Sequence, residues 1–557
     1  MTGRVSYPGR AASPGTALGH LYRTDRPLTG PVPRGADPVR QVADAFDQVA
    51  GRLHAVAATL RGHGDEDQAD ILEVGGLIAL DPDLRRNAEQ SAADGVPPSE
   101  AVERAVGGYA DIIAALDDPV LADRAADVRQ VGRRVLAVLH GAADPEPDRP
   151  VVLAAHEIGA ADLLEPGRTV TAALSVTGGP NSHAAIVARS LGIPLLLDVD
   201  PGLLELPDGV EVLVAGAATV VRPDTVERLS ALAVMAAVRT RRAELAAERH
   251  LPVRTRDGHP LTLRANVATP DDARAALLAG ADGVGLLRTE LPFLGARHWP
   301  TRARHTAALT PVLGLLGGRP VTVRTLDFAD DKLPPFLADA RAGGRLGRGL
   351  PLMLARPDAF AEQFRALLEA GAGTDLRIMI PMVADVGELR ACQALLDRAA
   401  GELGVSAPPL GIMVELPEAV ARIDELAHEA AFLSLGTNDL TSWILGLDRR
   451  DPAAGPAQSA HPAVLRAVAE VVAAARRHRR SVSVCGDAAA HPLVLPLLVG
   501  LGCDTLSVAP AALDEVRAAV RRLDRAACAA LAADALSLDS AEAVHRLVRS
   551  RLPAPRD

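Results

Sequence analysis

One histidine stands where a reactive ring would be useful. In Gly178-Gly179-Pro180-Asn181-Ser182-His183-Ala184-Ala185-Ile186-Val187, His183 follows two glycines, a proline and two side chains of the helix-capping type, and an apolar run follows it. Glycine lets the backbone turn sharply, and Asn or Ser accepts a hydrogen bond from the first N–H groups of a helix. His183 is therefore expected in the first turn of a helix. Unpaired N–H groups and the positive end of the helix dipole favour an anion there. A phosphoryl group on the imidazole would be stabilised at that place, although a packing or capping histidine fits the same local pattern.

A second set of reactive side chains lies further along the chain, each at the end of a short apolar run. Arg288 and Glu290 follow GVGLL, Arg324 ends PVTVR, and Asp327 comes just after it. Glu415 follows GIMV, Asn438 and Asp439 follow FLSLGT, and Cys485 follows SVSV. A buried guanidinium is costly unless paired or binding an anion, and its fork matches phosphate or carboxylate. An ion pair with Asp327 would also satisfy Arg324. Glu415 and Asp439 are hard oxygen donors of the kind that hold Mg2+ together with substrate phosphate and water, or they cap helices. Cys485 is placed to donate a proton if polarised, or it is a small core residue. Taken together, these residues predict a site for a small anion with a metal.

The elements that must position these residues follow from the patterning. LTLRANVA, GVGLLRT, PVTVRTLD, LRIMIPMV, LGIMVEL, AAFLSLGTNDL, SVSVCGD and CDTLSVA recur with helical patterns between most of them. Strands alternating with helices at this spacing predict a (β/α)8 barrel over residues 251–557, with its active site at the C-terminal ends of the strands. His183 falls in a different region. RPVVLAAH, RTVTAALSV, IPLLLDV and VEVLVAG are strand-like runs, so 145–224 reads as an α/β domain whose sheet is completed by residues 1–20. Residues 21–144 carry apolar residues at helical spacing and read as a helical subdomain inserted into it. The Ala- and Arg-rich stretch 225–250 reads as a linker helix. The expected fold class is multidomain α/β: an α/β domain with a helical insert, followed by a C-terminal barrel.

With these motifs in view, the chain resembles enzyme I of the bacterial phosphoenolpyruvate-dependent sugar phosphotransferase system. The resemblance rests on GGPNSHAAIVARSLGIP, GADGVGLLRTELPFL, VTVRTLDFADDK, LRIMIPMV, GIMVELPEAV, FLSLGTNDLTSWILGLDR and SVCGDAAA, in the family's order over nearly the whole chain. It implies that His183 accepts the phosphoryl group of phosphoenolpyruvate and passes it to the small carrier protein HPr, or an HPr-like carrier. It further implies phosphate binding by Arg288 and Arg324, other substrate contacts from Asn438, Asp439 and Arg449, and Mg2+ on Glu415 and Asp439. Cys485 would protonate the enolate to give pyruvate, HPr would dock on the helical insert, and the barrel would form a homodimer. The chain departs from the family at Asn181, where Thr is usual, at Ala329-Asp330, at Pro351, and at Asp487, where Glu is usual. These departures raise one alternative, a catalytically weakened relative that senses phosphoenolpyruvate. Related dikinases need a large ATP-binding domain, and residues 1–147 resemble none.

Composition narrows the remaining classes. At 557 residues, 48% hydrophobic and 23% charged, the chain is globular and long enough for several domains. A net charge of −11 argues against nucleic acid as the main partner and suits a small basic protein. The opening MTGRVSYPGR has no apolar stretch of a secretory signal, and the apolar run around 492–503 is too short to span a bilayer. A cytoplasmic protein without membrane insertion is expected. Cys392, Cys485, Cys503 and Cys528 are scattered without a CxxC pair, so neither a zinc site nor a disulfide framework is expected.

Overall fold

Short runs rich in Val, Leu and Ala pair into two separate sheets, one in each of two units, residues 1–241 and 242–557. The computed structural model describes residues 5–25, 37–63, 66–115, 124–141, 149–164, 169–179, 182–328, 334–337, 349–447 and 455–552.

The first unit holds eight strands: β1 (Val5–Pro8), β2 (Arg10–Ser13), β3 (Thr16–Arg23), β4 (Pro150–Ala155), β5 (Thr169–Ser175), β6 (Leu195–Leu197), β7 (Glu211–Ala215) and β8 (Ala218–Val221). Their order is β1-β8-β7-β3-β4-β5-β6-β2. The N-terminal segment thus enters the sheet's centre, β3 pairing parallel with β4 and antiparallel with β7. The segment expected to complete this sheet supplies three strands, β1 beside β8 at one edge, β2 beside β6 at the other, and β3 in the centre. Between β3 and β4 the chain forms helices Pro38–His63, Glu66–Ala79, Pro82–Ala93, Pro98–Ala114 and Arg124–Leu139. Their apolar faces meet in a core of their own, with Phe46, Leu53, Leu72, Leu84, Val102 and Val135 inside.

In the second unit β9 (Thr262–Val267), β10 (Val284–Leu287), β11 (Pro320–Arg324), β12 (Asp375–Ile380), β13 (Leu410–Val414), β14 (Phe432–Leu435), β15 (Ser481–Val484) and β16 (Thr505–Val508) close into a barrel. Every pairing is parallel, from β9–β10 round to β16–β9. Side chains alternate across each strand. Leu263, Ala265, Val267, Val321, Val323, Ile378 and Ile380 point outward into the layer beneath the surrounding helices. Inside the barrel, Leu286, Met379, Met413, Phe432 and Cys485 form a small apolar plug. Helix Thr225–Ala247 carries the chain from one unit to the next. Both tryptophans belong to the second unit: Trp299 packs on Phe336 with ring centroids 4.8 Å apart, and Trp443, on helix Thr437–Leu445, is 47% exposed. Among the described residues, no helix is long and apolar enough to cross a membrane.

Candidate active site

Arg324 ends β11 with its side chain turned into the barrel, 8% exposed. Its Nη2 donates to Glu290 Oε1 at 2.7 Å and its Nη1 pairs with Asp327 Oδ2 at 2.7 Å. Burial opposes the charge, but Asp327, Glu290 and Glu415 outweigh it and hold the guanidinium's pKa above its ordinary value. Among the described residues, its Nε has no hydrogen-bond partner, nor does Glu290 Oε2. The loops after β10 and β11 are tied together behind this group. The Thr289 hydroxyl donates to the Arg324 carbonyl at 3.0 Å and accepts from Gln363 Nε2 at 3.1 Å, while Gln363 Oε1 accepts from the Leu326 N–H at 3.1 Å. Gln363 was not singled out in the sequence. Its only signal is an amide on the buried face of helix Pro357–Ala370.

Glu415 follows β13 and is buried, with Oε1 accepting from the Met382 N–H at 2.7 Å. Burial drives its pKa well above the carboxylate range, the charges of Asp327 and Asp439 push the same way, and Arg324 opposes them. A carboxyl crowded by two further carboxylates is an environment that a divalent cation relieves. The donors are all oxygen, which suits Mg2+. Among the described residues, no group of three or more His, Cys, Asp or Glu is already arranged to hold a metal ion, at this mouth or elsewhere.

Cys485 closes the ring of groups from β15. Its Sγ donates to the Leu435 carbonyl at 3.5 Å, and its own carbonyl accepts from Asn266 Nδ2 at 3.0 Å. Burial pushes the thiol up to about 11; Glu415 adds to this, while the Ser434 hydrogen bond and the charges of Arg324 and Arg288 pull against it. Cys485, Glu415, Arg324 and Arg288 therefore lie within one another's fields at the C-terminal mouth. Asn438 and Asp439 open helix Thr437–Leu445 at the same mouth. Asn438 Nδ2 donates to Asp487 Oδ2 and the Asp487 N–H donates to Asn438 Oδ1, both at 3.0 Å. The unusual Asp487 thus clasps a predicted substrate contact. Arg288 is exposed at the rim. Pro351 sits in the first turn of helix Leu350–Leu354. Arg449, Ala329, Asp330 and Asn181 lie outside the described residues.

His183 is the first residue of helix His183–Leu191 in the other unit. Ser182 supplies the N-cap, its hydroxyl accepting from the Ala185 N–H at 3.3 Å. Gly178, at φ 128°, makes the turn that leads in, a conformation costly for any other residue. Ala184, Ala185, Val187 and Ala188 anchor the helix against Leu153, Ala173, Leu195 and Leu197 of the sheet. The backbone of residue 183 therefore stands at the electropositive end of a fixed helix.

Three family descriptions match this chain in order: PEP-utilising enzyme, N-terminal, over residues 8–124; mobile domain over 147–219; and PEP-binding domain over 242–525. The chain belongs to the phosphoenolpyruvate-utilising enzymes. His183 falls within the mobile-domain match, and Arg324, Glu415, Asp439 and Cys485 fall within the PEP-binding match. Among curated relatives, this phosphoenolpyruvate-utilising enzyme is 37% identical to the phosphoenolpyruvate-protein phosphotransferase of Streptomyces coelicolor, over 96% of this chain and 97% of that one. It is also 36% identical to a multiphosphoryl transfer protein of Xanthomonas campestris over 98% of its length, and 37% identical to one of Rhodobacter capsulatus over 84%. The chain spans 67% and 58% of those two longer relatives. Its place is on the phosphotransferase branch of the family.

Proposed function

We propose that this enzyme moves the phosphoryl group of phosphoenolpyruvate to His183 and then to a histidine on HPr or an HPr-like carrier, releasing pyruvate at the first step of sugar uptake. One observation carries the reading. A single barrel mouth gathers a buried guanidinium, crowded carboxylates and a protonated thiol, while a histidine sits at a helix start in the domain matched as mobile.

Arg324 and Arg288 neutralise and orient the phosphate, since phosphoryl transfer depends on positioning and charge more than on covalent help from the protein. Glu415 and Asp439 are the residues that would hold Mg2+, which supplies charge neutralisation on the phosphate oxygens. The phosphorus–oxygen bond to the enol breaks as a phosphorus–nitrogen bond forms on the His183 ring. The enolate left behind takes the Cys485 proton at carbon and becomes pyruvate. Asn438 and Arg449 complete the substrate contacts. The helical insert is the carrier's docking surface in this reading. Exposed Leu77, Leu80 and Ile112 on it, and the chain's net charge of −11, suit a small basic partner. The barrel unit forms the homodimer, and the enzyme works in the cytoplasm.

The test is incubation with phosphate-labelled phosphoenolpyruvate and Mg2+. The expected result is acid-labile, base-stable label with release of pyruvate, and no label on His183→Ala although phosphoenolpyruvate still binds. Binding without label or pyruvate on either protein would overturn the reading and leave a sensor of phosphoenolpyruvate.

A further inference from the structure

The barrel has a second mouth, at the N-terminal ends of its strands, and it too is built around arginines. Arg264 of β9 and Arg377 of β12 share the inward parity of Asn266 and Met379 and line a cavity of about 130 Å3. Thr322, Phe432, Ser481, Ser483 and Thr505 complete it. Two glycines let the lining pack closely: a Cβ at Gly285 would clash with Ser507 Oγ and meet the Arg264 Cβ at 3.2 Å, and one at Gly411 would press into the Phe432 ring at 2.6 Å.

Neither arginine forms an ion pair among the described residues, and the buried Arg264 Nε has no hydrogen-bond partner. Burial and then the charge of Arg377 lower the pKa of Arg264, while Asp375 and Asp282 act in the opposite sense. The Arg377 guanidinium carbon sits 5.2 Å from the Phe432 ring centroid, which fixes its plane without neutralising it. Ser483 Oγ donates to Ser434 Oγ at 2.9 Å, whereas the hydroxyls of Ser481, Thr322 and Thr505 have no partner within the described protein. Two like charges held together with no carboxylate in direct contact are costly, and an anion bridging them would relieve that cost. The plug of Leu286, Met379, Met413, Phe432 and Cys485 separates this cavity from the Arg324 mouth.

We propose that the N-terminal mouth of the barrel binds a small oxyanion, the size of phosphate or a short carboxylate, in the forks of Arg264 and Arg377 with hydroxyls from Thr322, Ser481 and Thr505. The site is independent of the reaction assigned above.

The experiment titrates the full chain with inorganic phosphate, and separately with malonate, at ionic strength held constant with chloride. Calorimetry reads affinity and a melting scan reads stability. Phosphate, malonate or both should bind and raise the melting midpoint, and the stronger of the two names the anion class. Arg264→Met and Arg377→Met should each weaken binding about tenfold or more, the loss of one charge-assisted contact. Arg377→Lys, which keeps the charge and loses the fork, should weaken it too. Without added anion, the midpoint of Arg264→Met should match or exceed the parent's, since a repulsion has been removed. Arg324→Met should retain the effect. No binding of either anion would overturn the proposal, as would binding lost in Arg324→Met but kept in Arg264→Met.

Discussion

A thiol held at about 11 stays protonated throughout the neutral range and gives up its proton only to a strong base such as an enolate. That property separates Cys485 from a nucleophile, which needs a lowered pKa. Replacing Cys485 with Ala should cut pyruvate formation about a hundredfold or more. Stabilisation of the protein by phosphoenolpyruvate in a melting scan should survive. An unchanged rate of pyruvate release in a coupled assay would remove Cys485 from the mechanism. At this scale the sequence was legible where a polar residue ends an apolar run. Arg324 and Cys485 stood out for that reason, and the ion pair with Asp327 offered for Arg324 is present. Arg264 and Arg377 lie inside apolar runs and were passed over. Period-two alternation would have shown both pointing inward with Asn266 and Met379. Gln363 reaches Thr289 across 74 positions of chain, and no local pattern encodes such a bond.

Strands and helices were legible because each strand is short, apolar and bounded by a turn. The eight runs marked in the second half of the sequence are the eight strands of the barrel. Element ends were less visible. Helix Pro98–Ala114 starts after Pro97, with no side-chain cap, although Ser99 is a capping residue by type. Helix Arg302–Leu315 carries a cost the sequence concealed. His305 is 1% exposed, neither ring nitrogen has a partner among the described residues, and the ring meets Phe293 edge-on at 4.7 Å. Burial, then the charge of Arg304, lowers its pKa to about 4. The unfolded chain binds this proton below about pH 6.5 and the folded one does not. Stability should fall as pH drops from about 6.5 to 4, by on the order of 2–3 kcal/mol from this one residue. Urea titrations at successive pH values measure it. His305→Leu should flatten that part of the profile, and an unchanged profile would show that the ring titrates normally.

Each unit of the whole molecule has its own core, and the helices between β3 and β4 add a third cluster. Scanning calorimetry should therefore resolve more than one transition. Phosphoenolpyruvate with Mg2+ should raise the barrel's transition, by about 2.7 kcal/mol of added stability at a hundredfold excess over Kd. The transition of residues 1–241 should stay where it is. If every transition moved together, the units would be unfolding as one body. Strand-like and helix-like patterning change abruptly along the sequence, and the two units divide at 241/242, inside the stretch 225–250 read as a linker helix. Exposed apolar residues were less visible, since a lone Leu77 or Ile112 reads in sequence like any helix residue.

The placement of the tryptophans has a practical reach. With Trp299 half-buried against the barrel unit's core and Trp443 on the helix that Asn438 and Asp439 open, excitation selective for indole lights up residues 242–557 alone. Residues 1–241, His183 among them, are dark. Emission from Trp443 becomes a reporter of events beside the candidate substrate site, and energy transfer to a dye placed anywhere in the first 241 residues becomes a ruler between donor and acceptor halves during turnover, with no residue of the parent chain replaced on the donor side.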